Sequence, residues 1–286
     1  MKIKILADST ADLTREICEK YDIEQLPLTI NLGEKSFSDG IDINPEMIYE
    51  FVKETKQLPK TSALNQNFYN ETYKKIFEQG YDGIVHFTIS AEMSTCYNNA
   101  VLASKQFQNV RVIDSRTLST GIALLAIYAS ELTKQGDLTV DEIAKNIEKR
   151  IKFDQTSFVV DKLEYLYRGG RCSAVALLGA NLLKIKPSIQ VKEGKMGMEK
   201  KYFGNLEKVV MKYVEDTLKK FNNPDYKRIF VTHTEIDKNI VDMVVDYLKN
   251  NTKFKEILET TAGSTVTSHC GSHTLGILYL NDGEQK

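Results

Sequence analysis

At 286 residues, with 42% hydrophobic and 27% charged side chains, the chain can bury the core of one large or two ordinary α/β domains and fits a globular protein. Lys and Arg total 38 against 39 Asp and Glu, a formal net charge of −1, so no global field draws the chain to nucleic acid or anionic lipid and only a local basic patch is left open. Cys18, Cys96, Cys172 and Cys270 lie far apart without a C-x-x-C pair, which argues against a zinc ribbon or thioredoxin-like motif and for reduced thiols.

In chain order, residues 3–7 read as an apolar strand that reaches Asp8 too soon for a signal peptide or a membrane span, so the expected location is the cytoplasm. Asp8-Ser9-Thr10 is the turn, and the spacing predicts a helix over 12–21. Residues 33–66 form a polar excursion with Pro45 and Pro59 and one short helix around 46–54, which brings Thr61 back over the sheet. The β-turn-α unit then recurs: strand 83–89 with helix 94–107, and strand 110–113 with helix 118–134. Near-continuous apolar strands alternating with helices imply a parallel sheet covered on both faces, with ligands at the strands' carboxyl ends.

After a helix over 140–152 the pattern changes to strands with more alternation, at 158–160, 188–191, 229–232 and 275–280, with Gly194-Lys195 as a hairpin turn. The expected organisation is therefore an N-terminal α/β domain over 1–153, with a parallel sheet between helices, and a C-terminal α/β domain over 154–286 with a mixed sheet. A cleft is expected where they meet.

Hydroxyls cluster at strand ends. Ser94 follows a strand and opens a helix, where its hydroxyl and the first-turn amides either hold a carboxylate or phosphate or serve as an N-cap worth about 1 kcal/mol. Thr61-Ser62, ahead of a helical stretch from about Asn67, has the same two readings, and Asp8 and Asp114 read as caps, metal ligands or acid–base groups. Arg168-Gly169-Gly170-Arg171 reads either as an anion clamp or partner contact or as a solvated loop. The small and apolar residues over 174–183 suit a buried helix or a tunnel wall. His269 and His273 sit on a glycine-bearing turn over 268–275, which is not helical H-x-x-x-H geometry and argues against a metal. His269 either donates to an anionic head group or acts as a base for Ser94, and no G-x-S-x-G elbow surrounds that serine. Neither a P-loop nor a dinucleotide fingerprint is present.

In order and spacing these segments resemble the DegV family, bacterial fatty-acid-binding proteins that serve fatty acid kinase. The resemblance rests on Asp8-Ser9-Thr10-Ala11-Asp12, Lys60-Thr61-Ser62, Met93-Ser94-Thr95-Cys96-Tyr97, Asp114-Ser115-Arg116 with Gly121, residues 163–171 followed by Lys186-Pro187, and the turn over 269–276. The chain departs from the family where His-Thr-Gly-Pro-Gly becomes His269-Cys270-Gly271-Ser272-His273 and where Ser-Gly-Thr-Tyr becomes Ser94-Thr95-Cys96-Tyr97. It departs again where Thr-Ser-x-Pro-Ser becomes Thr61-Ser62-Ala63-Leu64-Asn65.

The resemblance implies a two-domain α/β carrier of one long-chain fatty acid. Its carboxylate would be held near Thr61, Ser62, Ser94 and Thr95, with His269 close by. A separate fatty acid kinase would phosphorylate that carboxylate for phospholipid synthesis, with Arg171 meeting the partner or the activated head group. The chain itself would be no enzyme, need no cofactor or metal and touch membranes at most transiently. Burying methylenes at about 0.8 kcal/mol each gives a long tail on the order of 10 kcal/mol gross, so a few hydroxyls suffice to orient the head. The alternatives are a serine or cysteine esterase or acyltransferase using Ser94 or Cys270 with His269, and an interaction module without ligand.

Overall fold

The computed structural model describes residues 1–172 and 185–283. The apolar run over 174–183 lies outside the described residues. Four strands, β1 (Ile3–Asp8), β2 (Ile23–Leu26), β6 (Gly83–Thr88) and β7 (Val110–Asp114), form a wholly parallel sheet in the order β2-β1-β6-β7. Every residue of β1 and β6 is buried, as strands covered on both faces require. One face carries α3 (Gln66–Glu78) and α4 (Cys96–Ser104), packed through Tyr69, Tyr73, Ile76 and Ala100. The other carries α1 (Arg15–Tyr21), α5 (Thr120–Thr133) and α6 (Val140–Ile151).

The second sheet is mixed. Its order is β10-β9-β8-β13-β11-β12, from β8 (Asp154–Val160), β9 (Lys186–Lys192), β10 (Lys195–Tyr202), β11 (Arg228–His233), β12 (Glu256–Thr261) and β13 (Thr274–Leu280), with only β11 and β12 parallel. A short helix, α7 (Glu164–Gly169), follows β8, and helices α8 (Leu206–Lys220) and α9 (Lys238–Asn251) cover the outer face of the sheet through Val210, Tyr213, Val241 and Val244. Its inner face meets α5, where Phe230, Leu278 and Leu280 join the core of the first sheet.

Eleven of the fourteen residues of α5 are buried, which is why its sequence is apolar all round: both sheets pack on it. The result is a two-domain α/β fold whose lobes share a helix layer. Among the described residues no helix is long and apolar enough to cross a membrane.

Several expectations need correction. The helix expected over 12–21 begins at Arg15, because residues Ser9–Ala11 make a single 3-10 turn and Asp12 takes a left-handed conformation at φ 51°. Thr14 is its cap, accepting from the Ile17 amide at 3.3 Å. The helix expected over 94–107 is shorter, Cys96–Ser104.

The polar excursion carries α2 (Pro45–Thr55) as expected, and also β4 (Lys35–Ser38) and β5 (Lys60–Ser62), which with β3 (Thr29–Leu32) just before it form an unforeseen antiparallel sheet. Thr61 is therefore a strand residue. Asn65 caps α3, accepting from the Phe68 amide at 2.9 Å. The turn expected over 268–275 is helical up to Cys270, as α10 (Ser264–Cys270), so His269 lies in a last helical turn. The later strands alternate less than expected, since β8, β11 and β13 are buried on both faces, and exposed positions fall mainly on the edge strands β10 and β12.

Candidate functional site

The carboxyl ends of β1, β6 and β7 lie side by side, and each end turn is tied to the next. Asp8 and Asp114 do not cap the helices that follow them. Asp8 accepts from the Ile89 amide at 3.0 Å, and Asp114 from the Ala91 amide at 3.1 Å and the Arg116 amide at 3.0 Å. The turn between β6 and α4 is thus pinned from both flanking strands, and it presents Ser94. Asp8 is itself fully buried beside His86 at 3.4 Å, whose Nδ1 meets the Tyr73 hydroxyl at 2.8 Å.

From the opposite side comes α10, whose short run of β-branched and polar residues has little helix propensity of its own. Two distant carboxylates hold its N-terminus. Asp12 accepts from the Gly263 amide at 2.7 Å, and Asp39 from the Ser264 and Thr265 amides at 2.9 and 3.3 Å. Negative charge at a helix start is favourable, and the free first-turn amides are thereby satisfied. Burial, and less so the neighbouring Asp39, raises the Asp12 carboxyl to about 7 despite hydrogen bonds from Ser119 and Gly263.

This clamp sets His269 against β5, where its Nε2 lies 2.8 Å from Thr61 Oγ1. The other nitrogen, Nδ1, is buried without a hydrogen-bond partner and faces Gly169, where a Cβ would come within 2.7 Å of it. An orphaned N–H costs more than an orphaned lone pair. The tautomer that fits therefore has Nε2–H donating to Thr61, which leaves the threonine hydroxyl free to donate onward. Burial, with a smaller effect of the Arg171 cation, lowers the imidazole to about 4, so His269 is neutral at physiological pH. In carbon-detected histidine NMR of lipid-free protein, the His269 ring signals should stay put down to about pH 5 and move only below it. A midpoint near 6.5 would show that the ring is not desolvated.

Thr61, Ser62, Ser94, Arg171, His269 and Cys270 line one cavity of about 60 Å³, against an apolar wall of Ile89, Met93, Leu118, Met196 and Val266. A second cavity of about 20 Å³ behind it shares Leu118, Val266 and Cys270. The structure thus gathers every expected site residue except Thr95, which is exposed and does not line the cavity. Thr10 and Thr265 line it as well, with hydroxyls that are buried and unpartnered. Thr265 and Met196 carry no local sequence signal, since their place depends on packing between lobes.

Neither Ser94 nor Cys270 forms a nucleophile–base pair with His269. Ser94 Oγ donates to Cys96 Sγ at 3.1 Å and not to His269, and burial pushes the Cys270 thiol up to about 12. An imidazole near 4 is also a poor general base at neutral pH. His273 takes φ 61° and sits 3.3 Å from Asp161, and among the described residues no group of three or more His, Cys, Asp or Glu is placed to hold a metal. What the cavity can do is receive a small anionic group between hydroxyl donors, with apolar surface behind it.

Comparison with known proteins agrees with that chemistry. The sequence model of a family described as "Uncharacterised protein, DegV family" matches residues 2–282. A fatty acid-binding protein of Thermotoga maritima is 32% identical over 285 residues, covering 96% of each chain. Among solved structures, a DegV family protein from Thermus thermophilus, described as binding fatty acid, superimposes with a TM-score of 0.87 at 27% identity, covering 98% of this chain and 100% of that one. A stearic acid-binding protein from Eubacterium ventriosum does so with a TM-score of 0.84 at 26% identity, covering 99% and 100%.

Proposed function

Because this chain belongs to the DegV family, we propose that it binds one long-chain fatty acid and presents the carboxylate to a separate fatty acid kinase. The observation that supports this reading is the convergence of Thr61, backed by His269, with Ser94 in one cavity that has an apolar wall behind it. Thr61 donates to the carboxylate while accepting from His269, and Ser94 turns its hydroxyl from the Cys96 sulfur, a weak acceptor, toward the ligand. Ser62 and Arg171 sit at the exposed rim.

The tail runs along the wall toward the second cavity, past Met93 and Met196, whose unbranched side chains repack at low cost to widen the path. Residues 1–153 carry Thr61 and Ser94, and 154–286 close the cleft. The reading makes the chain a binding protein that turns nothing over itself and touches a membrane no more than transiently. Native mass spectrometry should show one fatty acid per purified chain. Protein that emerges empty and takes up no added stearate overturns the reading.

Arg171 is exposed, and its Nη1 donates to the Gly169 carbonyl at 2.7 Å, which leaves the rest of the guanidinium fork for an oxyanion. With a fatty acid kinase and ATP supplied, Arg171→Ala should keep its lipid and slow acyl-phosphate formation about tenfold, the loss of one charge-assisted hydrogen bond. A variant that phosphorylates at the parent rate but loses its lipid would assign Arg171 to the pocket instead.

A further inference from the structure

The tip of the β9–β10 hairpin belongs to the C-terminal sheet yet is bonded to the turn that carries Ser94. Ser90, with no exposed surface, donates its hydroxyl to the Gly194 carbonyl at 2.8 Å. The Ser90 backbone amide donates to the Thr117 carbonyl at 3.0 Å, and its carbonyl accepts from the Met93 and Ser94 amides at 2.9 and 3.2 Å. Ser90 therefore ties three things together: the hairpin tip, the turn after β7 and the backbone of Ser94.

Two further contacts hold the tip: Arg116 Nη2 donates to the Glu193 carbonyl at 2.6 Å, and Lys195 pairs with Glu92 at 3.3 Å. Gly194 takes φ +84°, and a Cβ there would lie 2.7 Å from Ser90 Oγ and 3.1 Å from Glu92 Cγ. The approach is so close that it needs glycine twice over, for its backbone angle and for its missing side chain. Met196, two residues past Gly194, lines the head-group cavity. The same short stretch thus both braces the serine turn and walls the pocket.

We infer that Ser90 and Gly194 are positioning residues for fatty-acid recognition: the hairpin tip, acting through Ser90, fixes the turn that aims Ser94, so the head-group site is complete only when the two lobes are docked. The inference rests on the proposed role of Ser94, and the experiment separates the two. Lipid-free protein is titrated with stearate by calorimetry, for Ser90→Ala, Gly194→Ala and Arg116→Gly, each alone and combined with Ser94→Ala. Arg116 is exposed and takes φ 52°, so glycine there relieves the backbone while releasing the tip, and this variant keeps the test open should Ser90→Ala fail to fold.

Ser90→Ala and Gly194→Ala should each weaken stearate binding about three- to tenfold, and Arg116→Gly about twofold; all three losses should nearly vanish in the Ser94→Ala background, because residues acting on one contact are not additive. Parent affinity in Ser90→Ala and Gly194→Ala, or losses that persist undiminished without the Ser94 hydroxyl, would overturn the positioning role alone. A Ser94→Ala single variant that binds stearate as the parent does would overturn the head-group reading and this inference with it.

Discussion

Thr61→Ala combined with Ser94→Ala is expected to weaken fatty-acid binding by more than a hundredfold while leaving the fold intact. A hydrogen bond to a charged group contributes about 1.5–3 kcal/mol, and the two hydroxyls line the same cavity. Thr61 is backed by the His269 Nε2–H at 2.8 Å, which polarises its hydroxyl toward the ligand; Ser94 gives up only a weak bond to sulfur when it turns. Removing both leaves a carboxylate that burial of the tail still draws in, but with half its acceptor capacity unmet. Both side chains are only partly buried and neither belongs to an apolar core cluster, so far-UV circular dichroism and melting should be close to those of the parent. Competition against a fluorescent fatty acid reads the affinity directly, and an unchanged dissociation constant in the double variant would place the carboxylate elsewhere.

The parallel sheet was legible because its strands are continuous apolar runs and its helices follow them at short, regular intervals; β1, β6 and β7 begin within one residue of where the sequence places them. The small antiparallel sheet was not. Its strands have three or four residues each and are largely polar, as Lys35–Ser38 shows, so no period-two pattern develops. Helix α10 was hidden for a different reason: its stability comes from Asp12 and Asp39, more than two hundred residues away, and no local window contains them.

The same limit governs the site. Ser94 and Thr61 read locally as caps, and only their order and spacing alongside the other motifs pointed to a shared pocket. Thr95 stands next to Ser94 in sequence, but successive residues at a helix start are turned about 100° from one another, and here Thr95 is exposed while Ser94 lines the cavity.

Asp12→Asn is expected to stabilise the protein by about 2–4 kcal/mol at pH 8 and to change little below pH 4. The folded-state carboxyl is raised to about 7 from its ordinary 3.8, because burial, and then Asp39, disfavours its charge. Between those two values the folded chain holds a proton that the unfolded chain has released, so stability falls as pH rises through this window, and the loss is complete above about 7. Three units correspond to about 4 kcal/mol. The amide keeps an acceptor for the Gly263 amide, and Ser119, which now donates to Asp12, turns its hydroxyl to accept.

His269 runs the other way. Its folded value near 4 lies below 6.5, so its contribution is lost as pH falls through that interval, and in the parent it partly offsets the slope from Asp12. Asp154, raised to about 6 by burial, adds to the Asp12 slope below pH 6. Urea denaturation of parent and variant at pH 4 and pH 8 separates these contributions. Equal stability at pH 8 would mean that the clamp on α10 fully compensates the buried charge. A gain there would mean that the chain keeps a costly carboxylate at the start of the helix that holds His269 against Thr61.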